Sequence, residues 1–151
     1  ATQRDVWRLI AHLVGVPHAD DLTQETFLRS LRSLPSFEGR SSARTWLLSI
    51  ARRAAIDHLR AQRVQPALVF DEPSDVADPG AGFEEIVAVN LMLAALPTDR
   101  REALLLTQVL GLSYAEAATI CDCPVGTIRS RVARGREDLI QARGEDAVGA
   151  G

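Results

Sequence analysis

The chain has 151 residues, enough for one or two small domains. Hydrophobic residues make up 46% of it and the net charge is −3, which excludes a protein that coats nucleic acid along its whole surface. No apolar run could span a bilayer, no signal peptide is recognisable, and Cys121 and Cys123 are badly spaced for a disulfide. These features predict a cytoplasmic protein.

The charges are segregated along the chain. From Arg40 to Arg63 there are six arginines and one acid, whereas from Asp71 to Glu85 there are six acids and no base. A basic segment can meet nucleic acid, while the acidic one would repel phosphate. Because prolines and glycines interrupt the acidic stretch, we predict a flexible linker over residues 65–82.

Helical spacing of apolar residues predicts three helices before the linker, over Ala1–Val14, about Asp20–Leu34 and about Ser42–Arg63. No capping residue precedes the first, so it is expected to be incomplete at its N-terminus. The residues predicted to face inward are Val6, Leu9, Ile10 and Leu13, then Leu22, Phe27, Leu28, Leu31 and Leu34, then Trp46, Leu47, Ile50, Ala51 and Ala54.

Two helices are predicted directly after the linker, over Phe83–Leu96 and Pro97 to about Leu110. No run alternates with period two over a strand's length. The predicted fold class is therefore all-α, with two small helical domains joined by the linker. They occupy residues 1–64 and 83–143, and a frayed tail is expected over residues 144–151.

A helix-turn-helix is predicted at the end of the second domain. Ser113 and Glu116 have the spacing of a capping box, so a helix should begin at Tyr114. Gly111 suits the end of the preceding helix, and Pro124 is tolerated in the first turn of the next one. Two short helices with a tight turn between them are typical of DNA-reading modules.

The second of these helices has two faces at about 100° per residue. Ile128, Val132 and Leu139 form the predicted inner face. Opposite them lie Gly126, Ser130, Ala133, Arg134 and Glu137. Between Ile128 and Glu137 stand four arginines and no acid, and the arginine fork matches both phosphate oxygens and the guanine edge. The alternative is a solvated basic face on an ordinary helix.

Four segments in this order carry a family resemblance: DDLTQETFLR, FEGRSSARTWLLSIARR, LPTDRREALLLTQVLGLSYAEAA and CPVGTIRSRVARGREDL. They resemble the extracytoplasmic-function (ECF) sigma factors of the sigma-70 family, bacterial initiation subunits of RNA polymerase, and are similar to actinobacterial SigC-type members. The resemblance covers nearly the whole chain except the linker. It implies that residues 1–64 are an N-terminally incomplete sigma-2 domain and residues 83–143 are sigma-4.

The resemblance implies a polymerase-binding site in the second helix, because the family uses this segment to hold the clamp coiled coil of the large polymerase subunit. The site residues are Asp20, Asp21, Leu22, Gln24, Glu25 and Phe27. Acidic residues around an apolar anchor suit such a contact. An acidic first turn that only complements the helix dipole is the alternative.

The resemblance also implies melting of the −10 promoter element and capture of a non-template base. An aromatic ring and loop polar groups can hold an unstacked base. The candidates are Phe37, Ser41, Ser42, Arg44, Trp46, Arg52, Arg53, Asp57 and Arg60, with Arg63 as a further backbone contact. Trp46 is alternatively a core residue, and Arg53 and Asp57 are spaced to pair with each other.

In the last helix the resemblance implies contacts to the −35 element. The candidates are Thr127, Arg129, Ser130, Arg131, Ala133, Arg134 and Arg136. Arg129, Ser130, Ala133 and Arg134 map to base reading, and the other three are better suited to phosphate anchoring. Ala133 departs from members with a bulky residue there and can touch only a thymine methyl.

The implied partners are core RNA polymerase, through its β and β′ subunits, and promoter DNA, double-stranded at −35 and single-stranded at −10. Many family members also bind an anti-sigma factor. No cofactor, metal or catalytic residue is expected, because His12, His18 and His58 lack partners at triad or metal spacing. A stand-alone helix-turn-helix repressor is the alternative, and it would be a symmetric dimer on a palindromic site.

Overall fold

The structure is a computed structural model that describes residues 2–64, 84 and 91–149. All regular elements within these ranges are helical, which confirms the all-α prediction. The chain divides into two compact units, Ala1–Phe83 and Glu84–Gly151. The predicted linker over residues 65–82 lies outside the described residues. In the described ranges no helix combines the length and apolarity needed to cross a membrane.

The first unit consists of three helices, α1 (Thr2–Val14), α2 (Ala19–Ser33) and α3 (Ala43–Val64), each of which packs on the other two. Short 3₁₀ turns at Val16–His18 and Leu34–Ser36 stand at the two ends of α2. The core is formed mainly by α1 and α3. Its buried side chains include Val6, Leu9, Ile10, Leu48, Ala51, Ala54 and Ala55.

The face that α2 buries differs from the predicted one. The buried residues of the helix are Ala19, Thr23, Thr26 and Ser30. Leu28, Leu31 and Leu34 are 49%, 67% and 54% exposed, so the prediction that they face inward is wrong. The buried hydroxyls donate to carbonyls of their own helix, as Thr26 Oγ1 does to Leu22 O at 2.7 Å, and are therefore satisfied. Small side chains let α2 lie close to α1 and α3, and the leucines remain outside.

The buried face of α3 also differs in part from the prediction. Ala51 and Ala54 are buried as predicted, but Trp46, Leu47 and Ile50 are only half-buried. The remaining buried positions are Thr45, Leu48 and Ala55. Because α3 packs against both α1 and α2, its buried sector combines Leu48 with small side chains, and Trp46, Leu47 and Ile50 lie towards its edges.

The second unit contains α4 (Thr98–Leu104), which continues as a π-helical segment (Leu105–Val109), then α5 (Tyr114–Cys121) and α6 (Val125–Gly149). Of the helix predicted over Phe83–Leu96, Glu84 and residues 91–93 are helical, and residues 83 and 85–90 lie outside the described residues. The buried side chains that join the three helices include Leu104, Leu105, Leu106, Ile120, Ile128 and Val132.

The last helix is longer than the sequence predicted. Residues 144–149, expected as a frayed tail, are the helical continuation of α6. No proline occurs after Pro124, and Gly144 is the one helix-weakening residue between Arg143 and Val148. Nothing in this stretch therefore forces the helix to end at Arg143.

Helix α6 lies close to α4 at Gly135. A Cβ atom at this position would lie 2.7 Å from Cδ1 and 3.1 Å from Cγ of Leu104. Leu104 is itself buried, so it has little space in which to move. No role was predicted for Gly135 from the sequence, although a glycine in the middle of a helical pattern is a signal of close packing.

We expect Gly135→Ala to destabilise the second unit. Alanine favours the helix by up to about 1 kcal/mol over glycine, but overpacking against Leu104 should cost about 1–3 kcal/mol. The measurement is thermal unfolding followed by circular dichroism. Gly144→Ala is the matched control, because a Cβ there meets nothing within 4 Å. A melting temperature for Gly135→Ala equal to that of the control would contradict the close-packing argument.

Two histidines meet between the turn before α2 and the middle of α3. The ring centroids of His18 and His58 are 4.6 Å apart. Nε2 of His58 is buried and has no hydrogen-bond partner among the described residues. Burial lowers the pKa of His58 from its ordinary value of 6.5, and the neighbouring His18 lowers it further. The folded chain therefore favours neutral His58.

This pKa shift predicts a loss of stability in mild acid. The unfolded chain binds a proton at His58 near pH 6.5, whereas the folded chain binds it only at lower pH. The contribution to the free energy of unfolding is thus complete above about pH 6.5 and falls as the pH drops towards the folded pKa. Urea unfolding from pH 8 to pH 5 should show this fall, and His58→Phe should reduce it. Equal pH dependence in the parent and the variant would show that another group is responsible.

Candidate functional site

The outer face of α2 combines polar and apolar side chains. Asp21 and Gln24 are exposed, and Leu28 and Leu31 lie on the same side of the helix at spacings of three and four residues. Of the other residues predicted for polymerase binding, Leu22 and Phe27 are half-buried. The exposed face therefore carries a carboxylate and an amide towards its N-terminal end and two leucines towards its C-terminal end.

Two of the predicted polymerase-binding acids have partners inside the first unit. Asp20 Oδ1 accepts a hydrogen bond from Trp7 Nε1 at 2.9 Å, which links α2 to α1. Glu25 Oε1 accepts from Arg29 Nε at 3.0 Å. Both carboxylates are thus already engaged within the fold, unlike the outward-facing Asp21.

Arg29 joins α2 to α3. Its Nη1 donates to Asp57 Oδ2 at 2.8 Å, and the bonds to Asp57 and Glu25 raise the pKa of Arg29. The sequence had suggested that Asp57 pairs with Arg53, four residues away. Asp57 pairs with Arg29 instead, and Arg53 is exposed.

The loop before α3 brings two aromatic rings together. The centroids of Phe37 and Trp46 are 4.6 Å apart, with an angle of 37° between the ring planes. Both residues are half-buried, so Trp46 belongs partly to the fold and partly to the surface. The neighbouring Ser42 accepts a hydrogen bond from the Thr45 N–H at 3.1 Å and so caps α3, while Ser41 is half-buried.

The arginines predicted to face −10 DNA differ in exposure. Arg53, Arg60 and Arg63 are exposed, whereas Arg44 and Arg52 are half-buried. Arg44 Nε donates to Asp5 Oδ2 at 2.8 Å and ties the start of α3 to α1. The exposed positive charge of α3 thus comes from its middle and its C-terminal end.

The helix-turn-helix has the local geometry that the sequence predicted. The Glu116 N–H donates to Ser113 Oγ at 3.1 Å, and the Ser113 N–H donates to Glu116 Oε1 at 3.0 Å, which completes the capping box. Gly111 has a φ of 72°, as expected for a residue that ends a helix. Asp122, with a φ of 53°, makes the turn between α5 and α6.

The two faces of α6 are confirmed. Ile128 and Val132 are buried, and Leu139 is half-buried. The exposed residues of the opposite face are Gly126, Ser130, Ala133, Arg134 and Glu137. Ser130 Oγ donates to Gly126 O at 3.1 Å, so the hydroxyl lies against its own helix. Thr127 is half-buried at the start of the helix.

The arginines of α6 fall into two groups. Arg129 and Arg134 are exposed and have no hydrogen-bond or ion-pair partner among the described residues. Arg131 is half-buried, with Nε 3.6 Å from Asp99 Oδ2. Nη2 of Arg136 donates to Oε1 of Gln108 at 3.0 Å.

Asp99 and Gln108 were missed by the sequence analysis. They lie about 30 residues before the arginines that they contact, and no local spacing links them to α6.

Within the described residues, no group of three or more His, Cys, Asp or Glu side chains could hold a metal ion.

Comparison with known families matches both units. Sigma-70 region 2 matches residues 1–64, and sigma-70 region 4 matches residues 86–139. The fold is similar to that of the sigma factor RpoE from Bartonella quintana, solved with the anti-sigma factor NepR. The TM-score is 0.76 and the identity 31%, over 93% of this chain and 90% of that one. CnrH, solved with the cytosolic domain of CnrY, shares the fold at a TM-score of 0.69 and 24% identity.

Two relatives show how much of the sequence is shared. The ECF RNA polymerase sigma factor SigC of Mycobacterium tuberculosis is 56% identical over 154 residues, which cover 99% of this chain and 83% of that protein. The ECF RNA polymerase sigma-E factor of Escherichia coli K12 is 39% identical over 152 residues, which cover 91% of this chain and 80% of that protein.

The chain belongs to the sigma-70 family, with region 2 in its first unit and region 4 in its second. Within that family it is an extracytoplasmic-function RNA polymerase sigma factor, as its identity to SigC and sigma-E over nearly the whole chain shows. Its helix-turn-helix is therefore part of a transcription initiation factor and not of a stand-alone repressor.

Proposed function

We propose that this sigma factor binds core RNA polymerase in the cytoplasm, recognises the −35 and −10 promoter elements and promotes DNA melting. The observation that carries the proposal is an exposed, arginine-bearing recognition helix inside a matched region 4, in a chain 56% identical to SigC. The polymerase supplies the catalysis, and the proposal gives this chain no enzymatic role and no cofactor.

The contact to the polymerase clamp is assigned to the outer face of α2. Leu28 and Leu31 expose apolar surface whose burial in an interface would be favourable, and Asp21 and Gln24 lie beside them. Asp20 and Glu25 support the contact indirectly. Asp20 binds Trp7 of α1, and Glu25 binds Arg29, which in turn binds Asp57 of α3. Leu22 and Phe27 lie at the edge of this face.

An anti-sigma protein is proposed as a second class of partner. The structure of RpoE from Bartonella quintana, which this chain resembles over 93% of its length, contains the anti-sigma factor NepR. A protein that covered the exposed leucines of α2 would compete with the polymerase for them. This proposal fixes the kind of partner and the face, and the partner's sequence is left to experiment.

Promoter opening is assigned to the loop before α3 and to the basic part of that helix. The half-buried Phe37–Trp46 pair offers ring surface against which an unstacked base could lie, and base stacking on aromatic side chains is worth about 1–3 kcal/mol. Arg53, Arg60 and Arg63 are exposed and can attract the DNA backbone. Ser41 remains a candidate for the base, whereas Ser42 supports the site as the cap of α3.

Recognition of −35 DNA is assigned to α6, with a division of labour among its arginines. Arg129 and Arg134 are exposed without partners among the described residues, which suits contacts to base edges. Arg131 and Arg136 are held at the sides of the helix, which suits contacts to phosphates. The surface pair between Arg131 and Asp99 is weak enough for a phosphate to replace Asp99.

The polymerase contact predicts a loss of affinity without a loss of fold. Leu31→Asp and Asp21→Arg should each weaken binding to core polymerase by about tenfold or more, the effect of losing an interface hot spot. The measurement is titration of labelled polymerase with each variant, and helicity is checked in parallel. Ile140→Asp is the control, because Ile140 is 71% exposed, much like Leu31 at 67%, but lies in α6. Unchanged affinity in both α2 variants would remove α2 from the interface.

The −35 contact predicts different losses for two arginines of α6. Arg129→Ala should reduce the free energy of binding to −35 DNA by about 1–3 kcal/mol and flatten the base preference at a single base pair. Arg131→Ala should weaken binding to all sequences alike and lower the salt slope of binding by about one.

Both variants can be tested as holoenzymes on a library of −35 substitutions at two salt concentrations. Equal losses on every sequence for both variants would show that the division between base reading and anchoring is wrong. Full affinity in both variants would show that α6 does not read DNA.

A further inference from the structure

Gln108 connects the interior of the second unit to the recognition helix. Thr107 Oγ1 donates to Ala103 O at 2.8 Å, Gln108 Nε2 donates to Thr107 Oγ1 at 3.3 Å, and Arg136 Nη2 donates to Gln108 Oε1 at 3.0 Å. Thr107 is buried, whereas Gln108 and Arg136 are exposed. A chain of three hydrogen bonds therefore leads from a buried carbonyl to an exposed guanidinium on α6.

The direction of these bonds fixes the orientation of the amide. Because the Thr107 hydroxyl gives its proton to Ala103, its oxygen is left to accept from the Gln108 amino group. The carbonyl end of Gln108 then faces Arg136. A guanidinium has donors and no acceptor, so only this orientation of the amide can bind it.

The charge of the partner distinguishes Arg136 from Arg131. Asp99 is a carboxylate and offsets part of the charge of Arg131. Gln108 is neutral, so it holds the side chain of Arg136 and leaves its positive charge available. The N–H groups that do not face Gln108 remain able to donate to an anion.

The π-helical segment places Gln108 in this position. The Leu110 N–H donates to Leu105 O at 2.9 Å, five residues back, where an α-helix would use the residue four back. The wider turn keeps Leu105, Leu106 and Leu110 buried while Gln108 lies at the surface beside α6. Wide turns of this kind are frequently found at functional sites.

We propose that Gln108 is a positioning residue for the −35 contact, a neutral clamp that holds the guanidinium of Arg136 towards a phosphate of duplex DNA. The inference rests on the proposed function, in which α6 binds the −35 element. A side chain already held in one geometry loses less freedom on binding, so the clamp strengthens the contact without adding charge.

The test is a double-mutant cycle with the sigma factor bound to core polymerase and a −35 duplex as ligand. Gln108→Ala should weaken binding by about threefold on all sequences, and should cause no further loss in a chain that already carries Arg136→Ala. Its salt slope should stay at the parent value, because the charge of Arg136 remains. Gln108→Glu should lower the slope by up to about one, as Arg136→Ala does, because the new carboxylate offsets that charge.

Two controls separate positioning from folding. Gln108→Met keeps the length of the side chain without hydrogen bonds and should behave like Gln108→Ala, with an unchanged melting temperature. If Gln108→Ala lowers the melting temperature, the double-mutant cycle with Arg136→Ala is carried out with Gln108→Met instead. Gln141→Ala changes another exposed glutamine, on α6 itself, and should have no effect on DNA binding.

The outcomes also separate this inference from the proposed function. If Gln108→Ala reduces DNA affinity equally in the parent chain and in a chain that carries Arg136→Ala, the inference is overturned, because Gln108 would then act by another route. Parent affinity for both Gln108→Ala and Gln108→Met, with a loss for Arg136→Ala, would overturn the clamp and leave −35 binding by α6 intact. Parent affinity for Arg136→Ala would overturn both the clamp and the proposed phosphate contact of Arg136.

Discussion

The recognition helix can lie where it does because position 135 carries no side chain. A Cβ there would lie only 2.7 Å from Cδ1 of Leu104, so any other residue would require Leu104 or α6 to shift. On the same side of α6, Ile128 and Val132 fill the core. Together these residues place the inner face of α6 close against α4. The arginines of α6 consequently point to solvent or towards the sides of α4.

Close packing of these two helices brings polar side chains of α4 and its π-helical extension within reach of α6. Arg100 pairs with Asp138, Asp99 lies near Arg131, and Gln108 binds Arg136. The partners differ in charge, so the arginines of α6 are not equivalent despite their similar spacing. Arg131 is partly neutralised, Arg136 is held but remains charged, and Arg129 and Arg134 are left to solvent. The electrostatic character of α6 is therefore set in part by side chains about 30 residues earlier in the chain.

Local signals in the sequence were sufficient to predict the helix-turn-helix. The capping box at Ser113 and the inward-facing Ile128 and Val132 depend on residues a few positions apart, and the structure confirms both. The leucines of α2 were predicted wrongly because apolar periodicity identifies an amphipathic face but not what covers it. Asp57 was matched to Arg53 on its own helix, whereas its partner is Arg29 on another. Pairings of this kind depend on the tertiary packing, which spacing along the chain does not encode.

Polar contacts have an unusually large part in attaching α2 to the other helices of the first unit. Its buried face is made of alanine, threonine and serine, so it gains less from apolar burial than a leucine face would. Specific polar links, Trp7 to Asp20 and Arg29 to Asp57, supplement the packing that attaches it to α1 and α3. This leaves Leu28 and Leu31 exposed on the outer face of the helix. Neighbouring residues of the same type, Asp20 and Asp21, consequently have different surroundings: Asp20 binds Trp7 of α1, whereas Asp21 faces solvent.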